Sequence, residues 1–150
     1  MSSTFWHVGL TVADLKRSAA FYREIVGMQE GERLQSANEA FGRLVNNPGA
    51  TLEVVFLTLD GFALQLLQYL TQGGVRLAVA HNNIGSPHLS FFIPDVDEKY
   101  RALTARGDVE ITSPIVQNKA GTIRSFYVAD PDGVPVEFVE RMIALRAIMR

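Results

Sequence analysis

The sequence predicts an α+β domain made of two copies of one βαβββ module. Three observations predict it. A histidine leading an apolar run stands seven positions before an aspartate twice, in "HVGLTVAD" from His7 to Asp14 and in "HLSFFIPD" from His88 to Asp95. After each aspartate, apolar residues recur at helical spacing and stop at a glycine, Gly27 or Gly107. Three strand-like stretches follow each helix. Spacing and element order repeat together, which is the signature of an internal duplication.

The first module spans residues 4–70 and the second 86–141. "TFWHVGLTV" (residues 4–12) is aromatic and β-branched, hence a strand. Asp14 then caps a helix whose apolar positions are Leu15, Ala19, Tyr22 and Val26. "MQEGERLQ", "ATLEVVFLTL" and "FALQLLQY" are the next strands, and "LDG" at 59–61 turns the chain between the last two. In the second module "HLSFFI" is the leading strand. Asp95 with Glu98 three positions on has the pattern of a capping box. Val96, Tyr100 and Leu103 continue the helix. "VEITSPIVQ", "GTIRSFYVA" and "VPVEFVE" complete the module, with a "DPDG" turn at 130–133. Residues 71–85, with paired glycines and asparagines, form a connector. Residues 142–150 are expected to form a helical tail.

The chain has 150 residues, 47% of them hydrophobic, enough for one domain with a real core. A net charge of −2 without a basic stripe argues against nucleic acid as a partner. There are no cysteines, so disulfides, thiolate metal sites and cysteine nucleophiles are excluded. The start lacks a secretory pattern, and no apolar run reaches the roughly 20 residues of a membrane helix. A cytoplasmic protein without membrane attachment is the expectation.

Two histidines in equivalent strands of twin modules can be brought face to face by pseudo-twofold packing. The last strand of each module adds Gln65 with Gln68, and Glu137 with Glu140. Strand alternation turns one of each pair toward the centre. Gln65 lies among Ala63, Leu64, Leu66 and Leu67, and Glu137 lies between Val136 and Phe138. A buried carboxylate needs a compensating charge. One divalent cation would satisfy these positions together, and imidazole with carboxylate suits Zn, Fe, Ni, Co or Mn. The ordinary alternative is two hydrogen-bonded core histidines, a satisfied amide and an edge-strand charge. Tyr69, Gln68, Arg124 and Tyr127 are candidates for substrate contact by strand position. His81, in the connecting segment, is expected to be solvent-exposed.

The stretches "HVGLTVADLKRSAAFYREIVGM", "LQLLQY", "PHLSFFIPDVDEKYRALTARG" and "FYVADPDGVPVEFVE" carry a further signal. Over about residues 5–141 the chain resembles the vicinal oxygen chelate superfamily, the glyoxalase, bleomycin resistance and extradiol dioxygenase family. The resemblance implies a single glyoxalase-like domain, residues 1–150, whose two modules form a cupped, partly closed sheet around a central site. It implies His7, Gln65, His88 and Glu137 as ligands of one divalent metal ion, with Glu137 also catalytic. It implies a metal-dependent lyase, isomerase or epimerase. Its small substrate would chelate the metal through neighbouring oxygens, and an enolate or oxyanion would be stabilised. The alternatives are a metal-free binding protein of resistance type and an Fe(II) dioxygenase of extradiol type. Epimerase-like members place an acidic base shortly before the third strand; here "NPGATLE" stands there, with Glu53 nearby. A homodimer is expected, because half-cups leave sheet edges open.

Overall fold

A computed structural model describes residues 2–36 and 39–141. The expected tail at 142–150 lies outside the described residues. The chain divides into two compact units, Met1–Arg76 and Leu77–Arg150. The boundary falls inside the segment read as the connector, so residues 77–85 fold with the second unit.

The first unit runs β1 (Val8–Thr11), α1 (Leu15–Phe21), β2 (Gln29–Ser36), α2 (Glu39–Leu44), β3 (Leu52–Leu59) and β4 (Phe62–Tyr69). The second runs β5 (Leu89–Phe92), α3 (Val96–Arg106), β6 (Val116–Gln117), β7 (Ile123–Ala129) and β8 (Pro135–Arg141). Each unit has one four-stranded mixed sheet, ordered β1-β4-β3-β2 in the first and β5-β8-β7-β6 in the second. In both, the leading strand pairs parallel with the last strand, and the other pairings are antiparallel. The fold is α+β, as the sequence predicts. Among the described residues no helix is long and apolar enough to cross a membrane.

The two caps are near copies. Asp14, at φ −140° and ψ 109°, accepts the Arg17 N–H at 3.0 Å. Asp95, at φ −144° and ψ 109°, accepts the Glu98 N–H at 2.8 Å. Each cap satisfies one orphan donor of a helix start and contributes about 1 kcal/mol. Gly27 (φ 93°) and Gly107 (φ 73°) end the helices in the left-handed region, where a side chain would be strained. The first helix differs from expectation at its end. It widens into a π-helical turn over Tyr22–Val26, with the Gly27 N–H on the Tyr22 carbonyl. That turn keeps Tyr22 and Ile25 buried.

Helix and sheet enclose the core within each unit. Leu15, Ala19 and Tyr22 of the first helical segment are buried, as are Val55, Leu57, Leu64 and Leu66 of the sheet. In the second unit Val96 and Leu103 of α3 are buried, along with Phe126, Val128, Val136 and Phe138. Fully burying a side chain such as Phe138 contributes roughly 1.5–3 kcal/mol.

Two elements depart from the sequence reading. The helix α2 was not expected: "EAFGRL" holds a buried glycine, Gly42, whose added Cβ would lie 3.0 Å from the Asn47 carbonyl. The small residue is needed for the chain to fold back on itself. The stretch "VEITSPIVQ" forms only an isolated bridge, Ile111 to Val128, and the two-residue β6. Pro114 lies between them and has no N–H for a ladder.

Candidate metal and substrate site

Strand register decides which way each candidate faces. In β4, Gln65 is paired with Gly9 of β1 and Phe56 of β3. In β8, Glu137 is paired with Ser90 of β5 and Tyr127 of β7. Residues three apart on a strand face opposite ways. Gln68 turns to the helix, and its Oε1 accepts the Leu15 N–H at 2.8 Å. Glu140 does the same in the second unit, its Oε2 accepting the Val96 N–H at 3.2 Å. Gln65 and Glu137 therefore lie on the sheet face away from the helix, each in its own unit.

His7 and His88 each stand one residue before the leading strand, at the position that alternation puts on that same face. The His7 ring is half-buried and held edge-on by Trp6 at 4.5 Å and Phe56 at 5.4 Å. Its Nδ1 is buried and has no hydrogen-bond partner among the described residues. Trp6 in turn stacks on Phe56 at 6.0 Å and 20°, with 72% of its surface exposed. A bulge in β2 between Glu30 and Arg33 lies against this cluster. A Cβ at Gly31 would come within 3.1 Å of the Phe56 carbonyl. A side chain there would press on the Phe56 carbonyl, which would have to shift by a few tenths of an ångström.

In the second unit Glu137 is half-buried, and its Oε2 accepts the Ser90 hydroxyl at 2.8 Å. Tyr127 lies beside it. Burial, then the Glu137 charge and the hydrogen bond to it, push the Tyr127 phenol above its usual value. The phenol thus stays a proton donor at neutral pH. His88 is exposed, its ring 6.2 Å from Tyr127.

His81 is also exposed, as expected, yet it is not isolated. Its ring meets Tyr127 edge-on at 4.5 Å and lies 6.2 Å from His88. No local pattern in the sequence marks this contact. It arises because the turn after Ala78 closes on itself, with Asn83 Nδ2 donating to the Ala78 carbonyl at 2.9 Å.

The remaining candidates separate by face. Tyr69 shares the Gln65 face of β4, about 13 Å farther along at 3.3 Å per residue. Arg124 lies on the helix face. It grips Asp97 of α3 through two bonds of 2.7 and 3.0 Å, with Glu140 at 3.6 Å. Glu53 pairs with Gln68 and so shares the helix face, away from Gln65. Among the described residues, neither unit by itself brings three His, Asp or Glu side chains together as a metal-holding group.

The residues present suit a divalent cation. Each unit offers an imidazole and, on the same sheet face, an amide oxygen or a carboxylate; imidazole and carboxylate suit a borderline dication, and the amide oxygen is a weaker donor. Nδ1 of His7 is a buried imidazole nitrogen that the described residues leave without a partner.

The Glyoxalase/Bleomycin resistance protein/Dioxygenase superfamily profile matches residues 4–138. A lactoylglutathione lyase of Haemophilus influenzae is 29% identical over 135 residues, which cover 89% of this chain and 90% of the relative. A 2-epi-5-epi-valiolone epimerase of an Actinomyces species is 26% identical over 140 residues, covering 89% of this chain and 76% of the relative. Among solved structures, a glyoxalase family protein from Bacillus cereus superposes with a TM-score of 0.81 at 21% identity, covering 95% of this chain and 99% of that one. A genomically encoded fosfomycin resistance protein from Listeria monocytogenes, complexed with Mn(II) and sulfate, gives 0.63 at 23% identity, covering 98% and 99%. The chain belongs to the glyoxalase/bleomycin resistance protein/dioxygenase superfamily.

Proposed function

We propose that the protein is a metal-dependent lyase or isomerase of glyoxalase type, with His7, Gln65, His88 and Glu137 as the ligands of one divalent cation. One observation carries the reading. Both units present the same pair, a histidine before the leading strand and a Gln or Glu in the last strand, on the sheet face away from the helix.

When bound, the cation would act as a Lewis acid that stabilises negative charge on a substrate's neighbouring oxygens. The chain's own groups supply the rest. Glu137 is the anionic donor of the set and the carboxylate suited to accept a substrate proton. Ser90 holds one of its oxygens. Tyr127 lies beside it on the neighbouring strand. Gln65 is neutral, so the ligand set carries a single negative charge and the site keeps a net positive charge.

The substrate class proposed is a small carbon acid with vicinal oxygens, or its thiol adduct. The lactoylglutathione lyase and epimerase among the relatives support that class. The test is metal content of the purified protein and of His7→Ala and Glu137→Ala variants. A panel of 2-oxoaldehyde–thiol adducts, 2-substituted acyl-CoAs and catechols follows, with Zn, Ni, Co, Mn or Fe restored. Metal lost in both variants and turnover of one panel member support the reading. A fully folded protein that takes up no divalent metal contradicts it.

A second reading has its own observation. Phe5 and Trp6 are 70% and 72% exposed beside His7, a surface suited to flat apolar ligands. On that reading the protein binds a small aromatic molecule without metal. Ligand binding that survives chelation favours it. A cytoplasmic location and a homodimer are also proposed, the dimer because a four-stranded sheet has two edge strands that a second copy could cover; sedimentation of the purified protein tests the assembly.

A further inference from the structure

One difference between the two units lies beside the last-strand donor. In the first unit Gln65 has Gly9 on one side and Phe56 on the other, neither with a polar side chain. In the second unit the same register positions hold Ser90, whose hydroxyl donates to Glu137 Oε2 at 2.8 Å, and Tyr127, the cross-strand neighbour of Glu137 on the same sheet face. Strand order and direction are the same in both sheets, and the last strand sits between the same two neighbours. The fold therefore does not require a polar group at either position. The first unit closes with a glycine and a phenylalanine, and a Cβ added at Gly9 would meet Gln65 Oε1 at an ordinary 3.6 Å.

A third group backs this arrangement. His81 presses edge-on against the Tyr127 ring at 4.5 Å. Its turn is anchored at several points. Asn83 donates from its side chain to the Ala78 carbonyl and from its backbone to Ala80, each at 2.9 Å. Val79 lies against Gly133, where an added Cβ would be 3.5 Å from its methyl.

We infer that Ser90 and Tyr127 are positioning residues for Glu137, and that His81 is the wedge holding the Tyr127 ring in place. Together they fix the carboxylate in one orientation for a divalent cation, while Gln65 is left with an apolar frame. The inference rests on the ligand set proposed above. The physical reason for the difference is charge. A carboxylate ligand has several lone pairs, and outer partners that occupy the spare ones restrict its rotation. A neutral amide has less need of them.

The test uses Co(II) as the probe and the full-length protein. Affinity is measured by calorimetry, and the visible Co(II) spectrum is recorded for the wild type, Ser90→Ala, Ser90→Thr, Tyr127→Phe, His81→Ala and His81→Phe. Melting of each metal-free protein is followed in parallel. Losing an outer partner of a metal ligand typically weakens binding about 10–100-fold. Ser90→Ala and Tyr127→Phe are expected to weaken Co(II) binding by about tenfold or more. Their metal-free melting should stay near the wild type. Ser90→Thr should restore affinity through its hydroxyl. His81→Ala should weaken binding, and His81→Phe should restore it, because the ring rather than its nitrogens is the wedge. Wild-type affinity in both Ser90→Ala and Tyr127→Phe overturns the inference and leaves the ligand set standing. Wild-type affinity in His81→Ala removes His81 from it. A wild-type protein that takes no Co(II) overturns the ligand set, and the inference with it.

Discussion

Gln68 reaches from β4 to the first turn of α1 and accepts the Leu15 N–H at 2.8 Å. It joins a helix start to the strand that also carries Gln65, from the opposite face. The bond answers one of the four orphan donors of the helix start. Gln68→Ala is therefore expected to destabilise the protein by about 1 kcal/mol, roughly 2–4 °C in melting temperature. It should leave metal uptake unchanged. Gln68→Glu should be tolerated, since Glu140 makes the matching bond in the second unit. Thermal melting with and without added metal checks both outcomes.

Arg124 serves the second helix in a related way. Its guanidinium hydrogen bond to Asp97 is the main reason that carboxyl titrates below the ordinary range; its charge and that of Arg101 add to this, and burial opposes it. A carboxyl depressed in the folded state stabilises the protein above its unfolded pKa. That stability is lost as pH falls through the folded value. The pair should therefore be intact from neutrality down to about pH 4 and should weaken below it. Asp97→Asn is expected to flatten the loss of stability on acidification in that lower window. Arg124→Met should lower stability without altering ligand or metal binding. Denaturant melts across the acid range, at low and high salt, measure this. Unchanged acid sensitivity in Asp97→Asn would count against the pair.

The chain's single tryptophan, Trp6, has its ring 4.5 Å from that of His7. A paramagnetic cation held by His7 must come close to this indole. Co(II) or Ni(II) is expected to quench the intrinsic fluorescence in a saturable way, and Zn(II) to quench it far less. His7→Ala should abolish the saturable phase. Saturable quenching that persists in His7→Ala would place the cation elsewhere.

Much of the fold was legible because its signals are local. Asp14 and Asp95 cap helices because a short carboxylate beside extended backbone reaches the N–H three residues on. Gly27 and Gly107 stop them because glycine tolerates the left-handed turn. The choice between Gln65 and Gln68, or Glu137 and Glu140, was not legible in this way. Alternation says that the members of each pair face opposite ways. Only the packing of the helix shows which face is which. Arg124 and Tyr127 share a strand, yet they stand three residues apart and face opposite sides, one toward Asp97 and the other toward Glu137. His81 is exposed, as its place in the connecting segment implies. Its contact with Tyr127 depends on a turn that brings residues 46 positions apart together, and no local spacing encodes that. The helix α2 escaped notice because it is short and interrupted by Gly42, a poor helix former.

Metal stoichiometry is the most direct test of the account. Purified protein is loaded with Co(II) or Zn(II), desalted, and measured for metal per chain alongside His7→Ala, Gln65→Ala, His88→Ala and Glu137→Ala. One tightly held cation per complete ligand set is the expected result. Loss should be severe on removing either histidine or Glu137, and milder on removing the neutral Gln65. Metal content that is equal in all five proteins, or nil in the wild type, would contradict it.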